Sequence, residues 1–124
     1  GDSMSTTTKW LAGTNAVLGL WLIAAPFVFG VSDAGLWNAV IVGSLIALAG
    51  GYNWYLATQG EEVNRTVAYS VALLGLWVMA APFVFGVGTA AMWNDVIVGA
   101  LVATFGGYNG YASTEQQSGQ AQPA

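Results

Sequence analysis

Two basic and six acidic side chains divide this 124-residue chain into four long uncharged runs, at residues 10–32, 34–60, 66–94 and 96–114. A helix needs about 20 mainly apolar residues to cross a hydrocarbon core of about 30 Å. Backbone amides in lipid must be hydrogen-bonded internally, and the runs lack the alternating pattern of a transmembrane β-barrel. The sequence therefore predicts an all-α membrane protein with four transmembrane helices.

The composition excludes several classes of function. Charged residues make up 6% of the chain, whereas a soluble domain has roughly 25%. His and Cys are absent, which excludes disulfides, thiol chemistry and imidazole catalysis. Two basic residues are too few for nucleic-acid binding. Because the runs hold no nucleophile–base pair, paired carboxylates or metal-ligand cluster, we expect no enzymatic activity, no cofactor and no metal site.

A tandem duplication accounts for most of the sequence. At an offset of 56 residues, positions 9–55 align without a gap with positions 65–111, and 28 of the 47 pairs are identical. The recurring segments are LGLW (18–21 and 74–77), AAPFVFGV (24–31 and 80–87), WN (37–38 and 93–94) and GGYN (50–53 and 106–109). A hairpin holds two spans, so both copies enter the membrane from the same side. The repeats are therefore parallel and related by a pseudo-two-fold axis near the membrane normal.

The alignment sets the expected boundaries of the repeats. Repeat 1 covers residues 9–57, with helices at about 10–29 and 34–56, and repeat 2 covers residues 66–112, with helices at about 66–85 and 90–111. Gly30 and Gly86 occupy the usual stopping position after a helix, and Asp33 and Thr89 are the predicted N-caps.

The remaining residues are predicted to form polar connections. Residues 58–65 form a charged linker, and the Gln/Ser/Gly-rich residues 113–124 are expected to be a disordered tail. Residues 1–8 form an N-terminal tail whose first three residues resemble a tag remnant. Lys9 and Arg65 precede the first and third helices, so the positive-inside rule predicts a multi-pass protein of the cell membrane with both termini in the cytoplasm.

The order of these motifs resembles the SPW-repeat family of small integral membrane proteins. Both copies have LGLW, then Pro after four further residues, then WN and VIVG in the next helix. In that family each repeat is a two-helix unit named for a Ser-Pro-Trp motif, where this chain has Ala-Pro-Phe at residues 25–27 and 81–83. The resemblance implies a four-helix membrane domain and adds little about its biochemical role.

Two prolines lie in the last turns of the first and third predicted helices. Each lacks an N–H group, so Pro26 frees the carbonyl of Leu22 and Pro82 frees that of Val78. We expect each proline to produce a packing bend whose freed carbonyl is satisfied by a neighbouring helix. The alternative is a kink that opens a polar notch for a ligand or ion.

Two tryptophans fall near mid-span, although this residue normally marks the membrane interface. We expect Trp21 and Trp77 to fill the bundle core, and an indole N–H bonded to a freed carbonyl across the pseudo-two-fold axis is one arrangement that satisfies them. The alternative is an aromatic-walled cavity. Interfacial anchoring explains the remaining tryptophans and the Tyr and Asn residues at the cytoplasmic ends of the second and fourth predicted helices: Trp10, Trp37, Trp54, Trp93, Tyr52, Asn53, Tyr55, Tyr108, Asn109 and Tyr111.

Small residues recur at four-residue spacing on one face of the second and fourth predicted helices: Gly43, Ala47 and Gly51, then Gly99, Ala103 and Gly107. Such a face lets helix backbones approach closely where lipid supplies no hydrophobic driving force. We expect this face to join the two repeats to each other, and the alternative is a contact between copies of the chain.

Asp95 breaks the repeat symmetry, because Ala39 occupies its equivalent position. We expect it to reach interfacial water near the start of its helix, where the helix dipole stabilises a negative charge. The alternative is a functional polar site, since an ionisable group inside a span is a candidate by default. In that case Asp95 would bind a proton or cation, with Asn38 and Asn94 as nearby amides.

The expected role is structural. Four apolar helices with few polar groups fit a small scaffold, an accessory subunit of a larger membrane complex or a homo-oligomer in the lipid bilayer. The alternative is a small solute or ion transport module, which would need an oligomer to form a path and usually has several polar wall residues.

Overall fold

Four α-helices make up most of the computed structural model, which describes residues 2–121 and the side chains of residues 5–113. The helices are α1 (Asp2–Phe29), α2 (Asp33–Thr58), α3 (Arg65–Phe85) and α4 (Thr89–Ala121). Each contains a stretch long and apolar enough to cross a membrane: Ser5–Phe29, Asp33–Thr58, Arg65–Phe85 and Thr89–Ser113. The prediction of an all-α bundle of four transmembrane-length helices is confirmed.

The helices form a ring in which each contacts two neighbours. The first hairpin is α1 with α2, and the second is α3 with α4. Across the repeat boundary α1 packs against α4 and α2 packs against α3. The ring has a hairpin-loop end, with the connections 30–32 and 86–88, and a linker end, with the connection 59–64 and both chain termini.

The core between the four helices consists of repeat-related apolar side chains. Its pairs are Leu22 with Val78, Val42 with Val98, and Ile46 with Val102. Val71 completes the cluster. Its counterpart in repeat 1 is Asn15, which is as deeply buried as the apolar members. This core cluster is therefore apolar, and the Asn15 amide occupies the one position that breaks its repeat symmetry.

Glycine ends the first helix of each hairpin, as the sequence predicts. Gly30 and Gly86 have φ angles of 71° and 67°, a left-handed conformation that costs glycine little. The amide of Val31 donates to the carbonyl of Pro26 at 2.8 Å, and the amide of Gly86 donates to that of Pro82 at 3.0 Å. These bonds satisfy carbonyls that the helix end would otherwise leave free.

The predicted N-caps of α2 and α4 are each wrong by one residue. Ser32 is the N-cap of α2 but makes no side-chain capping bond, and Asp33 already lies in the helix with a φ of 55°. In α4 the amide of Met92 donates to the carbonyl of Gly88, so Thr89 is the first helical residue. In each case the residue before the predicted cap supplies the first carbonyl acceptor of the helix, Ser32 for the amide of Leu36 and Gly88 for that of Met92.

Both ends of the chain are more helical than expected. Helix α1 begins at Asp2 rather than near residue 10, and α4 continues to Ala121 although a disordered tail was predicted from residue 113. The first segment holds no proline, and Glu115, Gln116 and Gln117 are good helix formers, so nothing stops either helix at the membrane surface. The remaining part of the predicted tail, residues 122–124, lies outside the described residues.

Candidate functional site

Two indole–amide hydrogen bonds join the repeats. Trp21 Nε1 donates to Asn94 Oδ1 at 2.7 Å, which links α1 to α4. Trp77 Nε1 donates to Asn38 Oδ1 at 2.8 Å, which links α3 to α2. The offset of the duplication relates the two bonds, so each repeat supplies one donor and one acceptor to the other. Hydrogen bonds between side chains are one of the interactions that hold transmembrane helices together.

The expected core position of these tryptophans is wrong. Trp21 and Trp77 are 36% and 37% exposed and lie at the two seams between the repeats. Each ring meets a phenylalanine of its own helix edge-on, Phe29 or Phe85, with ring centroids 6.2 Å apart. The indole acceptor across the pseudo-two-fold axis is an asparagine side chain rather than a main-chain carbonyl. A sequence signal for this pairing existed, because Trp and Asn are both identical in the two copies.

The small-residue face packs within each hairpin and not between the repeats, so that prediction is wrong. A Cβ added to Gly19 of α1 would lie 2.5 Å from the amide nitrogen of Ala47 and 2.7 Å from the carbonyl oxygen of Gly43. In repeat 2 a Cβ on Gly75 would lie 2.5 Å from the amide nitrogen of Ala103 and 2.8 Å from the carbonyl oxygen of Gly99. Because the connections have only three residues, the two helices of one hairpin are the nearest neighbours.

The last predicted member of each small-residue face lies elsewhere. A Cβ on Gly51 or Gly107 would meet no atom of the described residues within 4 Å. A Cβ on Gly50 would lie 2.8 Å from the amide nitrogen of Ala16, and a Cβ on Gly106 would lie 2.8 Å from that of Ala72. Two turns of an α-helix contain about seven residues, so residue 50 lies on the same face as residue 43. Residue 51 lies eight residues after residue 43 and is rotated away from that face.

A small cavity at the hairpin-loop end collects most of the predicted polar residues. Its volume is about 20 Å³, which is room for about one water molecule. All four helices line it, and the lining includes Pro26, Pro82, Asn38, Ala39 and Asp95. The two prolines remain inside continuous helices. The structure thus brings the proline positions and the predicted polar site together.

Asp95 ends a short chain of hydrogen bonds. Asn94 Nδ2 donates to Asp95 Oδ1 at 3.1 Å, while Asn94 Oδ1 accepts from Trp21. Asn38 accepts the equivalent indole bond from Trp77, but Ala39 stands where the carboxylate would be. Toward the core, a second cavity of about 10 Å³ is bounded by Leu22, Val78 and Asp95. Asp95 therefore lines two small cavities, and both are lined by apolar side chains together with Asn38.

Two buried asparagines at the linker end bond to the backbone, one at the start of α3 and one within α1, so the interpretation of Asn53 and Asn109 as interfacial anchors is wrong. The side chain of Asn53 binds the backbone of Asn64 twice, donating to its carbonyl at 3.2 Å and accepting from its amide at 2.8 Å. Asn64 in turn caps α3 by accepting from the amide of Val67. Asn109 donates to the carbonyl of Thr8 at 3.0 Å, and its Oδ1 has no hydrogen-bond partner among the described residues.

Asn15 is the residue that sequence reasoning missed altogether. It is 1% exposed, and its Oδ1 makes no hydrogen bond to any residue in the part of the chain that the structure describes. Its equivalent in repeat 2 is the core residue Val71. Comparison of the two copies at positions that differ, rather than at those that agree, would have singled it out.

Comparison with known proteins identifies one family. A family model described as the SPW repeat domain matches residues 9–109, which include both hairpins and both indole–amide pairs. No curated protein and no solved structure matches the chain.

Proposed function

This chain belongs to the SPW repeat domain family of multi-pass membrane proteins, and we propose that it acts as a structural or accessory bundle that works through lateral contacts with other helices. The partners in this proposal are the lipid bilayer and either further copies of the chain or a larger membrane complex. Catalysis and nucleic-acid binding have no part in it.

The closed axis of the bundle is the observation that carries the proposal. Ile46 and Val102 belong to the core cluster of all four helices and are both 0% exposed. The cavities toward the hairpin-loop end have volumes of about 20 and 10 Å³. A conducting pore needs a continuous path with polar lining or a hydrophobic gate that can be wetted. A single copy that is packed in this way is better suited to making contacts than to passing solutes.

The outer surface supports the same role. Large apolar side chains on all four helices point away from the core, among them Leu20, Leu48, Leu73 and Ile97. Such side chains contact either lipid or other transmembrane helices, and packing between helices is driven by close van der Waals contact. The chain therefore has an extensive apolar surface for association, whereas its internal cavities are small.

Cysteine cross-linking in native membranes tests the proposal, because the chain has no cysteine of its own. One exposed position per helix is replaced in turn: Leu20→Cys, Leu48→Cys, Leu73→Cys and Ile97→Cys. The buried Ile46→Cys variant is the control. A covalent dimer, or a stoichiometric cross-link to another protein, is expected from at least one exposed position. Absence of both from all four positions would contradict the proposal.

A transport module formed by an oligomer is the second candidate, and Asp95 in its cavity is the observation that favours it. Ion or dye flux into liposomes tests this function directly. Flux that Asp95→Ala abolishes and Asp33→Ala leaves unchanged would support transport over a structural role. Flux equal to that of empty liposomes would leave the structural proposal standing.

We also propose that the linker end faces the cytoplasm and that the host membrane is the cell membrane. Lys9 and Arg65 lie at the linker end, whereas the hairpin-loop end has Asp33 and Asp95; positive residues favour the cytoplasmic side. An impermeant maleimide applied to intact cells is expected to label Ser32→Cys and to leave Gln59→Cys unlabelled. The reverse pattern would invert the orientation.

A further inference from the structure

An apolar groove lies on the outer side of the first hairpin, near the linker end. Its volume is about 420 Å³, and it runs between α1 and α2. Trp10 of α1 and Trp54 of α2 line it, and both are more than 40% exposed. We call it the tryptophan groove. Tryptophan at the end of a span is typical of the membrane interface, where an apolar ring and a polar N–H meet lipid and water together.

Glycine creates the space between these two tryptophans. Gly51 lines the groove, and a Cβ at that position would meet no atom within 4 Å. Gly13 also lines it, and a Cβ there would lie 3.0 Å from the ring of Trp54. The indole of Trp54 therefore lies over Gly13, and the absent side chain of Gly51 leaves the groove open.

Repeat 2 does not preserve this arrangement. Tyr69 stands at the position of Gly13, and Gly110 stands at the position of Trp54. A Cβ on Gly110 would lie 2.5 Å from the Tyr69 ring, so the aromatic side chain comes from the opposite helix in this copy. Thr66 replaces Trp10, which removes the other aromatic wall. The tryptophan groove is thus a feature of repeat 1, and repeat 2 provides a built-in control.

A positive charge, the ammonium group of Lys9, lies beside the Trp10 wall of the tryptophan groove. Lys9 Nζ is 5.4 Å from the centre of the Trp10 ring, within cation–π distance. An ammonium group at this level of the membrane attracts the phosphate of anionic lipids. An apolar groove with a cation beside its Trp10 wall matches a molecule that has an acyl chain and an anionic head group.

We propose that the tryptophan groove binds an anionic phospholipid, with one acyl chain between Trp10 and Trp54 and the phosphate beside the Lys9 ammonium. The volume of the groove falls within the range of sites that enclose small ligands. The indole rings supply apolar contact along the chain, and Lys9 supplies the preference for a negative head group. This binding goes beyond a structural role of the bundle and does not depend on it.

Native mass spectrometry of the detergent-solubilised full chain tests the proposal, with phosphatidylglycerol and phosphatidylcholine added in equal amounts. Gly51→Leu fills the groove, and Gly107→Leu makes the same change on the equivalent open surface of repeat 2. We expect the unmodified chain and Gly107→Leu to retain one phosphatidylglycerol. We expect the retained fraction to fall about tenfold in Gly51→Leu, which corresponds to about 1.4 kcal/mol. Equal retention by the two variants would overturn the proposal.

The head-group part of the proposal has its own test. Lys9→Gln is expected to abolish the preference for phosphatidylglycerol over phosphatidylcholine, and Arg65→Gln is expected to leave it unchanged. Identical preferences in the two variants would overturn the role of Lys9. If Gly51→Leu changed the oligomeric mass and left lipid retention intact, the groove would be a protein interface and the lipid assignment would be wrong.

Discussion

The two repeats of this bundle share a scaffold and differ at a few positions around it. Both have the glycine contact between their helices, the indole–amide bond to the other repeat and the glycine that ends the first helix. They differ at three places: Asp95 is equivalent to Ala39, Asn15 is equivalent to Val71, and the groove residues Trp10 and Trp54 are replaced in repeat 2. The shared contacts account for the fold. The differences place an acidic, an amide and two tryptophan side chains in single copies.

The largest effect is expected where the repeats agree most closely. Gly19→Ala and Gly75→Ala each place a Cβ within 2.5 Å of a backbone nitrogen of the facing helix. The helices must then separate, at a cost of about 3 kcal/mol in each variant. Reversible unfolding in mixed detergent micelles measures this loss, with Gly107→Ala as the control in open space. A clear difference in the free energy of unfolding between Gly19→Ala and Gly75→Ala would show that the two hairpins are not packed equivalently.

A smaller and unequal effect is expected at the linker end. Asn53 makes two hydrogen bonds to the start of α3, whereas Asn109 makes one to α1 and leaves its Oδ1 unpaired. Asn53→Ala should therefore lower the free energy of unfolding by about 2 kcal/mol and Asn109→Ala by about 1 kcal/mol. Hydrogen exchange at the amide of Asn64 should accelerate in the first variant alone. Equal losses would argue against the difference in bonding.

The indole–amide seams provide a further comparison. Asn94 bonds to both Trp21 and Asp95, whereas Asn38 bonds to Trp77. We expect Asn94→Ala to cost about 1.5 kcal/mol and Asn38→Ala about 0.6 kcal/mol, given the modest value of such bonds in membranes. In the Asp95→Ala background the two losses should become similar. A greater loss from Asn38→Ala would show that the carboxylate is not part of the seam.

The smallest effect is expected to have the opposite sign. Asn15→Val places the repeat-2 residue at the equivalent core position and removes a buried oxygen that has no partner. The variant should gain about 0.5 kcal/mol of stability, seen as a higher melting temperature in detergent. Val71→Asn is the converse variant and should lose stability. A loss of stability in Asn15→Val would indicate that this amide has a partner in the membrane.

The sequence predicted the elements that depend on local pattern. Uncharged runs gave the four spans, the offset gave the hairpins, and Gly30 and Gly86 marked helix ends. The contacts between helices are harder to predict. Each four-residue step rotates the side-chain direction by about 40° beyond a full turn, and this rotation decides whether Gly50 or Gly51 faces the neighbouring helix. The acceptor of Trp21 depends on which helix of the other repeat lies beside it, and the sequence does not state this order.

The candidate site shows the same division. Asp95 was singled out by its charge inside a span, and its neighbours Asn38 and Asn94 by proximity along the helix. The cavity that Asp95 shares with both prolines is not predictable from the sequence, because it depends on how the four helices pack in the ring. Asn53 and Asn109 were interpreted as surface anchors because aromatic residues flank them, yet burial at a helix start depends on where the linker returns to the bundle.

The protein mass of the particle released from native membranes tests the central proposal most directly. One chain has a mass of 12.8 kDa. A structural bundle that acts by lateral contact should appear, in native mass spectrometry of detergent-free membrane particles, as a multiple of this mass or with a stoichiometric second protein. A particle that contains a single chain and no other protein would contradict the account.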